Sequence, residues 1–226
     1  MDERRHILAP LLQNADVQAA LKRKIDKTTG ARAWNHLAPL LGQDLLRDQA
    51  RLFLDEDRRS GSLPNLWRKI HADPTIKAHF RDTYGHMFDE LHDGQIGGLS
   101  AESSAVIMER FKKQDQEASY AQFDERWERL EADMAAIRSD PVAAKIKTFR
   151  DKRHSHFEMK KLGEEPEAFD VEAIGLTFNE VLSFGDRCQA HVADLGLLLT
   201  GMNWDPKEFA EEHARQGTAM WMTLAN

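Results

Sequence analysis

Apolar residues along this chain recur at intervals of three and four, and the strict alternation of a half-buried strand is nearly absent. The clearest stripe is Phe178, Val181, Leu182, Cys188, Val192, Leu195 and Leu199, in a helix expected over about Val171–Thr200. A second stripe, Leu40, Leu41, Leu45, Leu52 and Phe53, belongs to a helix expected over Arg32–Glu56. Further helices are expected over Asp16–Thr28, Leu63–His71, Pro74–His92, Pro141–Lys161 and Pro206–Met222. A long charged helical segment covers Ala101–Ser139, with a break expected near Ser119. Ser60-Gly61-Ser62, the glycine-rich run Asp93–Leu99 and Leu162–Phe169 read as turns and loops. The fold class is therefore all-α, a helical bundle.

Three Asp-Pro pairs sharpen the helix starts: Asp73-Pro74, Asp140-Pro141 and Asp205-Pro206. An Asp side chain accepts from N–H groups that the first turn leaves unpaired, and Pro at the first position has no N–H to leave unpaired. Phe149 and Phe157 would anchor the Pro141–Lys161 helix to the core, and Trp204 and Trp221 would close it at the C-terminal end. The single cysteine, Cys188, lies in the apolar stripe and reads as a buried structural thiol; one cysteine excludes an intramolecular disulfide and a cysteine zinc site. No signal-peptide pattern and no apolar run long enough to cross a bilayer occur, so a cytoplasmic location is expected.

Charge changes the picture at one place. The segment Pro141–Lys161 holds seven Lys/Arg against Asp151 and Glu158, a local charge of +5 in a chain whose total is −7. Such an island focuses an anion that the general acidic field would repel. Arginine grips two phosphate oxygens in a planar fork, and imidazole moves protons near neutral pH. An Arg with a neutral His beside it suits the activation of an RNA 2′-hydroxyl, with no metal or other cofactor required. The competing reading is a solvated basic face whose Arg150 pairs with a carboxylate from another helix.

An Arg, a polar neighbour and a His a few positions on is the signature of the HEPN superfamily (higher eukaryote and prokaryote nucleotide-binding). Arg150-Asp151-Lys152-Arg153-His154-Ser155-His156 resembles it, in the wording of the abortive-infection, AbiU-like branch. The block Arg51-Leu52-Phe53-Leu54-Asp55-Glu56-Asp57-Arg58-Arg59-Ser60-Gly61-Ser62-Leu63 and the tail Leu197-Leu198-Leu199-Thr200-Gly201 are similar to that branch too. The resemblance covers about Leu45 to Gly201. It implies an N-terminal helical extension over 1–44, a HEPN-like domain over 45–204 and a C-terminal helix over 205–226. It also implies a metal-independent ribonuclease in a toxin or phage-defence setting. Arg150 and His156 would be catalytic, Asp151 and His154 supporting, and Lys147, Lys152 and Arg153 would hold RNA phosphates. The alternative is a non-catalytic HEPN module that binds a nucleotide or a protein.

The spacing alone recurs by chance. Arg81-Asp82-Thr83-Tyr84-Gly85-His86 also fits it, but Asp89, Glu90 and Asp93 lie nearby and make a poor surface for RNA. On a straight helix Arg150 and His156 stand about 120° apart, and His154 is closer to the face of Arg150. Either the helix distorts or a second chain completes the site, which is why a homodimer is expected. The partners implied are RNA or a nucleotide, a second copy, and an antitoxin protein; no membrane is implied. His79, His86 and His92 with neighbouring acids read as solvated helix residues, not metal ligands.

Overall fold

The computed structural model describes residues 2–152 and 172–225. Arg153, His154, His156, Phe157 and the Leu162–Phe169 loop lie outside them. Helices among the described residues are α1 (Asp2–Gln13), α2 (Ala15–Ile25), α3 (Gly30–Gln49), α4 (Leu63–Ala72), α5 (Pro74–Gly85), α6 (Ala101–Ser139), α7 (Pro141–Arg150), α8 (Phe178–Thr200) and α9 (Ala210–Ala225). No strand occurs among them. The fold is all-α.

Local chemistry sets most boundaries. Asp73 accepts from the N–H of Thr75 at 2.9 Å and Asp140 from that of Val142 at 2.7 Å, each with Pro at the helix start. The third Asp-Pro pair behaves differently. Asp205 accepts from Lys207 N–H, but the next backbone bonds span three residues (Glu208 to Asp205, Ala210 to Lys207), so α9 begins only at Ala210. The helix α8 starts at Phe178 because Thr177 and Glu180 cap it reciprocally, Glu180 accepting from the Thr177 N–H and Thr177 Oγ1 from the Glu180 N–H. The expected break at Ser119 does not occur: α6 is continuous for 39 residues and Ser119 is buried. The expected helix Arg32–Glu56 gives way at Ala50–Leu54 to a π-turn, and Asp55 takes an extended conformation that ends it.

The chain divides into two compact units: Met1–Asn65 with Ile137–Ala190 and Asp205–Asn226, and Leu66–Ala136 with His191–Trp204. In the first, α1 and α2 pack on α9. Leu8, Leu11, Val17, Leu21 and Trp221 form a buried cluster with Ile25, Trp34 and Met222 against it. Gly217 makes the α1–α9 approach close, since a methyl group there would stand 2.8 Å from Ile7 Cα. The Trp221 indole N–H donates to the Ile7 carbonyl at 2.6 Å. Elsewhere in this unit Gln49, fully buried in α3, donates to the Val181 carbonyl of α8 at 3.0 Å. The α7 helix packs on the π-turn and on α3.

In the second unit Phe123, Trp127 and Trp67 stack in series, with centroids 5.6 and 5.8 Å apart, and His191 meets Trp67 edge-on. The face of α8 that is buried runs Val181, Phe184, Cys188, His191, Leu195, Leu198. Leu182, Val192 and Leu199 of the expected stripe sit at its flank, and a histidine stands where an aliphatic was expected. In the second expected stripe Leu45 and Phe53 are buried, whereas Leu40, Leu41 and Leu52 are exposed. Trp221 closes the core as expected; Trp204 is exposed and does not. No described helix is long and apolar enough to cross a membrane.

Candidate functional site

The helix α7 buries Val142, Ala143, Ile146 and Phe149, residues spaced one, three and three apart, and this fixes its rotation. Lys145, Lys147 and Arg150 are left on its flanks. Lys145 donates to the Gly175 carbonyl (2.7 Å) and to Glu180 (3.0 Å), so it is committed to tying α7 to the start of α8. With those bonds, the Thr177 N–H and hydroxyl hold the Glu180 carboxyl down at about 2.

Arg150 ends α7, its side chain 24 % exposed. Nε donates to Asp151 Oδ1 at 2.8 Å, and Nη2 forms an ion pair with the same oxygen, also at 2.8 Å. The carboxylate that pairs with Arg150 is thus its sequence neighbour, not a residue from another helix as the solvated-face reading has it. This pair orients the guanidinium and uses only part of its hydrogen-bonding capacity. Lys147 Nζ donates to Glu56 Oε1 at 3.0 Å. Lys147 holds the Glu56 carboxyl below the usual carboxylate range, and the charges of Arg138 and Arg150 add to that field. Of the other expected site residues, Lys152 is exposed just beyond α7. Arg153, His154 and His156 fall outside the described residues.

Glu56 was not singled out as a site residue by sequence reasoning, although it lies in the Arg51–Leu63 block. Folding brings that block to α7. The π-turn packs on α7, and the loop after it is closed by its own polar side chains. Ser60 Oγ donates to the Asp57 carbonyl at 2.9 Å, Asn65 Nδ2 to the Ser60 carbonyl at 3.0 Å, and Ser62 Oγ to the Asp55 carbonyl. A cleft of about 520 Å³ beside the π-turn is lined by Asp48, Arg51, Asp55 and Arg59. Its two acids balance its two arginines, so it concentrates no net positive charge.

The competing match is spent on structure. Arg81 makes a bidentate pair with Asp124 of α6 (2.8 and 2.7 Å) and lies 4.5 Å from the Tyr120 ring centre. It is Arg81, and not Arg150, that pairs with a carboxylate of another helix. His86 Nδ1 is 2.9 Å from both Asp89 and Gln116, and its Nε2 is 3.2 Å from the Tyr120 hydroxyl. Gln116, first, and His86 and Lys112 after it hold the Asp89 carboxyl at about 2. Among the described residues no three His, Cys, Asp or Glu side chains gather as metal ligands. Cys188 is fully buried, and burial pushes its thiol up to about 12, which makes it a packing residue.

No curated protein and no solved structure matches the chain. A family model does: the HEPN AbiU2 model covers residues 3–220. That span takes in α1, α2 and most of α9 as well as the Leu45–Gly201 stretch that carries the resemblance. With its all-α architecture and its Arg150-Asp151-Lys152 segment at the end of a packed helix, the chain belongs to the AbiU2 family of HEPN proteins, an abortive-infection branch.

Proposed function

We propose that this protein is a metal-independent RNA endonuclease in which Arg150 binds the scissile phosphate and His156 moves the proton. The observation that carries the reading is Arg150 itself: half-buried, at the end of α7, its guanidinium set by Asp151 with N–H groups to spare. The imidazole of His156 takes the proton of an RNA 2′-hydroxyl, whose oxygen then bonds to the adjacent phosphorus. The bond from phosphorus to the 5′-oxygen breaks, that oxygen takes up a proton, and a 2′,3′-cyclic phosphate and a 5′-hydroxyl remain. The Arg150 guanidinium stabilises the charge that gathers on the phosphoryl oxygens. Lys147, Lys152 and Arg153 steer the backbone, with His154 in support. A second copy of the chain faces the first and completes the site, since one straight helix sets Arg150 and His156 about 120° apart. The setting is a cytoplasmic toxin or phage-defence effector, held in check by an antitoxin protein.

The test is cleavage of RNA in the presence of a chelator by the native chain and by Arg150→Ala and His156→Ala. Cleavage that survives the chelator and disappears in both variants supports the mechanism. Cleavage that His156→Ala leaves intact, or that the chelator abolishes, refutes it. One observation favours a second reading, a non-catalytic module that binds a nucleotide or protein: Glu56 and Asp151 compensate Lys147 and Arg150, so the site attracts RNA less than the bare cation count suggests. Saturable binding with no cleavage at any protein concentration would establish it.

A further inference from the structure

The acid beside the cations has a consequence of its own. Glu56 extends from a loop that its own hydroxyl and amide groups hold closed, so its backbone is fixed opposite α7. Its side chain is 65 % exposed and meets the Lys147 ammonium at 3.0 Å. A carboxylate oxygen at that distance makes the contact a phosphate oxygen would make. Arg138 and Arg150 both contribute to the positive field at the same carboxylate. Arg138 is exposed and has no ion pair among the described residues.

We propose that Glu56 is a built-in occupant of the phosphate site: its carboxylate holds the place beside Lys147 that a phosphodiester oxygen takes when a nucleic-acid strand binds, and Arg138 supplies a further cation to the incoming strand. This rests on the reading of the α7 flank as a phosphate site and adds a regulatory element to it. An exposed Lys–Glu pair is worth at most about 1 kcal/mol, so the acid is displaceable. A single phosphate has little to gain over the resident carboxylate. A strand that presents several phosphates releases several counterions and displaces it. Glu56 thus selects polyanions over mononucleotides, and its side chain swings into water when the strand arrives.

The experiment is calorimetric titration of the full chain with hexathymidylate, a 2′-deoxy strand that this mechanism cannot cut. Glu56→Gln keeps the shape of the side chain and removes its charge. It is expected to bind the strand about three- to tenfold more tightly than the native chain at low salt. The slope of log affinity against log salt should steepen by about 0.7, the share of one freed cation on a single strand. Adding Arg138→Ala to Glu56→Gln should return the affinity close to native. Equal or weaker binding by Glu56→Gln, or no binding by either chain, overturns the proposal. RNA cleavage by the same preparations separates the two ideas. A gain in affinity without any cleavage keeps the acid occupant and removes the nuclease; cleavage with no gain does the reverse.

Discussion

Gly217 and Gly42 are both helical glycines, yet replacing each with alanine should move stability in opposite directions. Alanine is favoured over glycine within a helix by about 1 kcal/mol. At Gly42, in α3, the new methyl meets nothing within 4 Å, so Gly42→Ala should stabilise by about 0.5–1 kcal/mol. At Gly217, in α9, the methyl would stand 2.8 Å from Ile7 Cα, 3.0 Å from the Ile7 carbonyl oxygen and 3.1 Å from that of His6. Carbon atoms in contact settle at roughly 3.5–4.0 Å, so α1 and α9 must part by about 0.7 Å or more. The obstacle is backbone and cannot rotate aside. Parting also stretches the 2.6 Å bond from the Trp221 indole to the Ile7 carbonyl, inside the cluster of Leu8, Leu11 and Val17. Overpacking of this kind costs about 1–3 kcal/mol, and a weakened buried hydrogen bond adds about 1 kcal/mol. After the propensity gain, Gly217→Ala should be destabilised by about 1–3 kcal/mol, a fall in Tm of roughly 2–10 °C for a chain of this size. Thermal unfolding of the two variants beside the native chain reads the difference. Equal stability of Gly217→Ala and Gly42→Ala would refute the close α1–α9 packing, and with it the place of the terminal helices in the fold.

The remaining predictions use other parts of the chain. His191 is buried with neither ring nitrogen hydrogen-bonded; burial lowers its affinity for a proton, opposed by the nearby Asp133 and Asp194. The unfolded chain therefore binds the proton first, so stability should fall as pH drops below about 6.5, by up to roughly 1.4 kcal/mol per pH unit. His191→Leu should flatten that difference in urea titrations at pH 5 and 8, and an unchanged slope would refute it. Cys188, with its thiol at about 12, should react with a maleimide at pH 8 only after unfolding; modification of the native chain within minutes would contradict its burial. Arg81→Ala should lower stability by about 0.5–1 kcal/mol, since its pair with Asp124 is half-exposed, and leave RNA cleavage intact. In cells, expression of the native chain should arrest growth and Arg150→Ala should abolish the arrest; equal growth defects would remove Arg150 from the mechanism.

Some sequence expectations failed for identifiable reasons. The helix α1 was not among the expected helices: it carries Pro10 within it, and it is held by Trp221 and the close approach at Gly217, at the other end of the chain. The stripe through Leu40 and Leu41 looked like core, since periodicity reports which face is apolar and not whether anything covers it. Ser119 looked like a break, yet a small buried hydroxyl fits within a packed helix. Of the residues expected in the site, Lys147 and Arg150 lie in the last turn of α7 and Asp151 caps it, whereas the periodicity had placed them inside a helix running to Lys161.

What the amino-acid order determined by itself is what acts within a few residues: the Asp-Pro helix starts at Asp73 and Asp140, the helical periodicity and the cationic island, together with the family to which the sequence over residues 3–220 belongs. Capping bonds and side-chain spacing are local, so a short window contains their cause. Tertiary structure decided the rest. Lys147 and Glu56 are 91 residues apart, Arg81 and Asp124 43, and Trp221 and Ile7 214. Which acid each of these cations meets, a sequence neighbour or a residue of a distant element, depends on contacts that form only when the chain has folded.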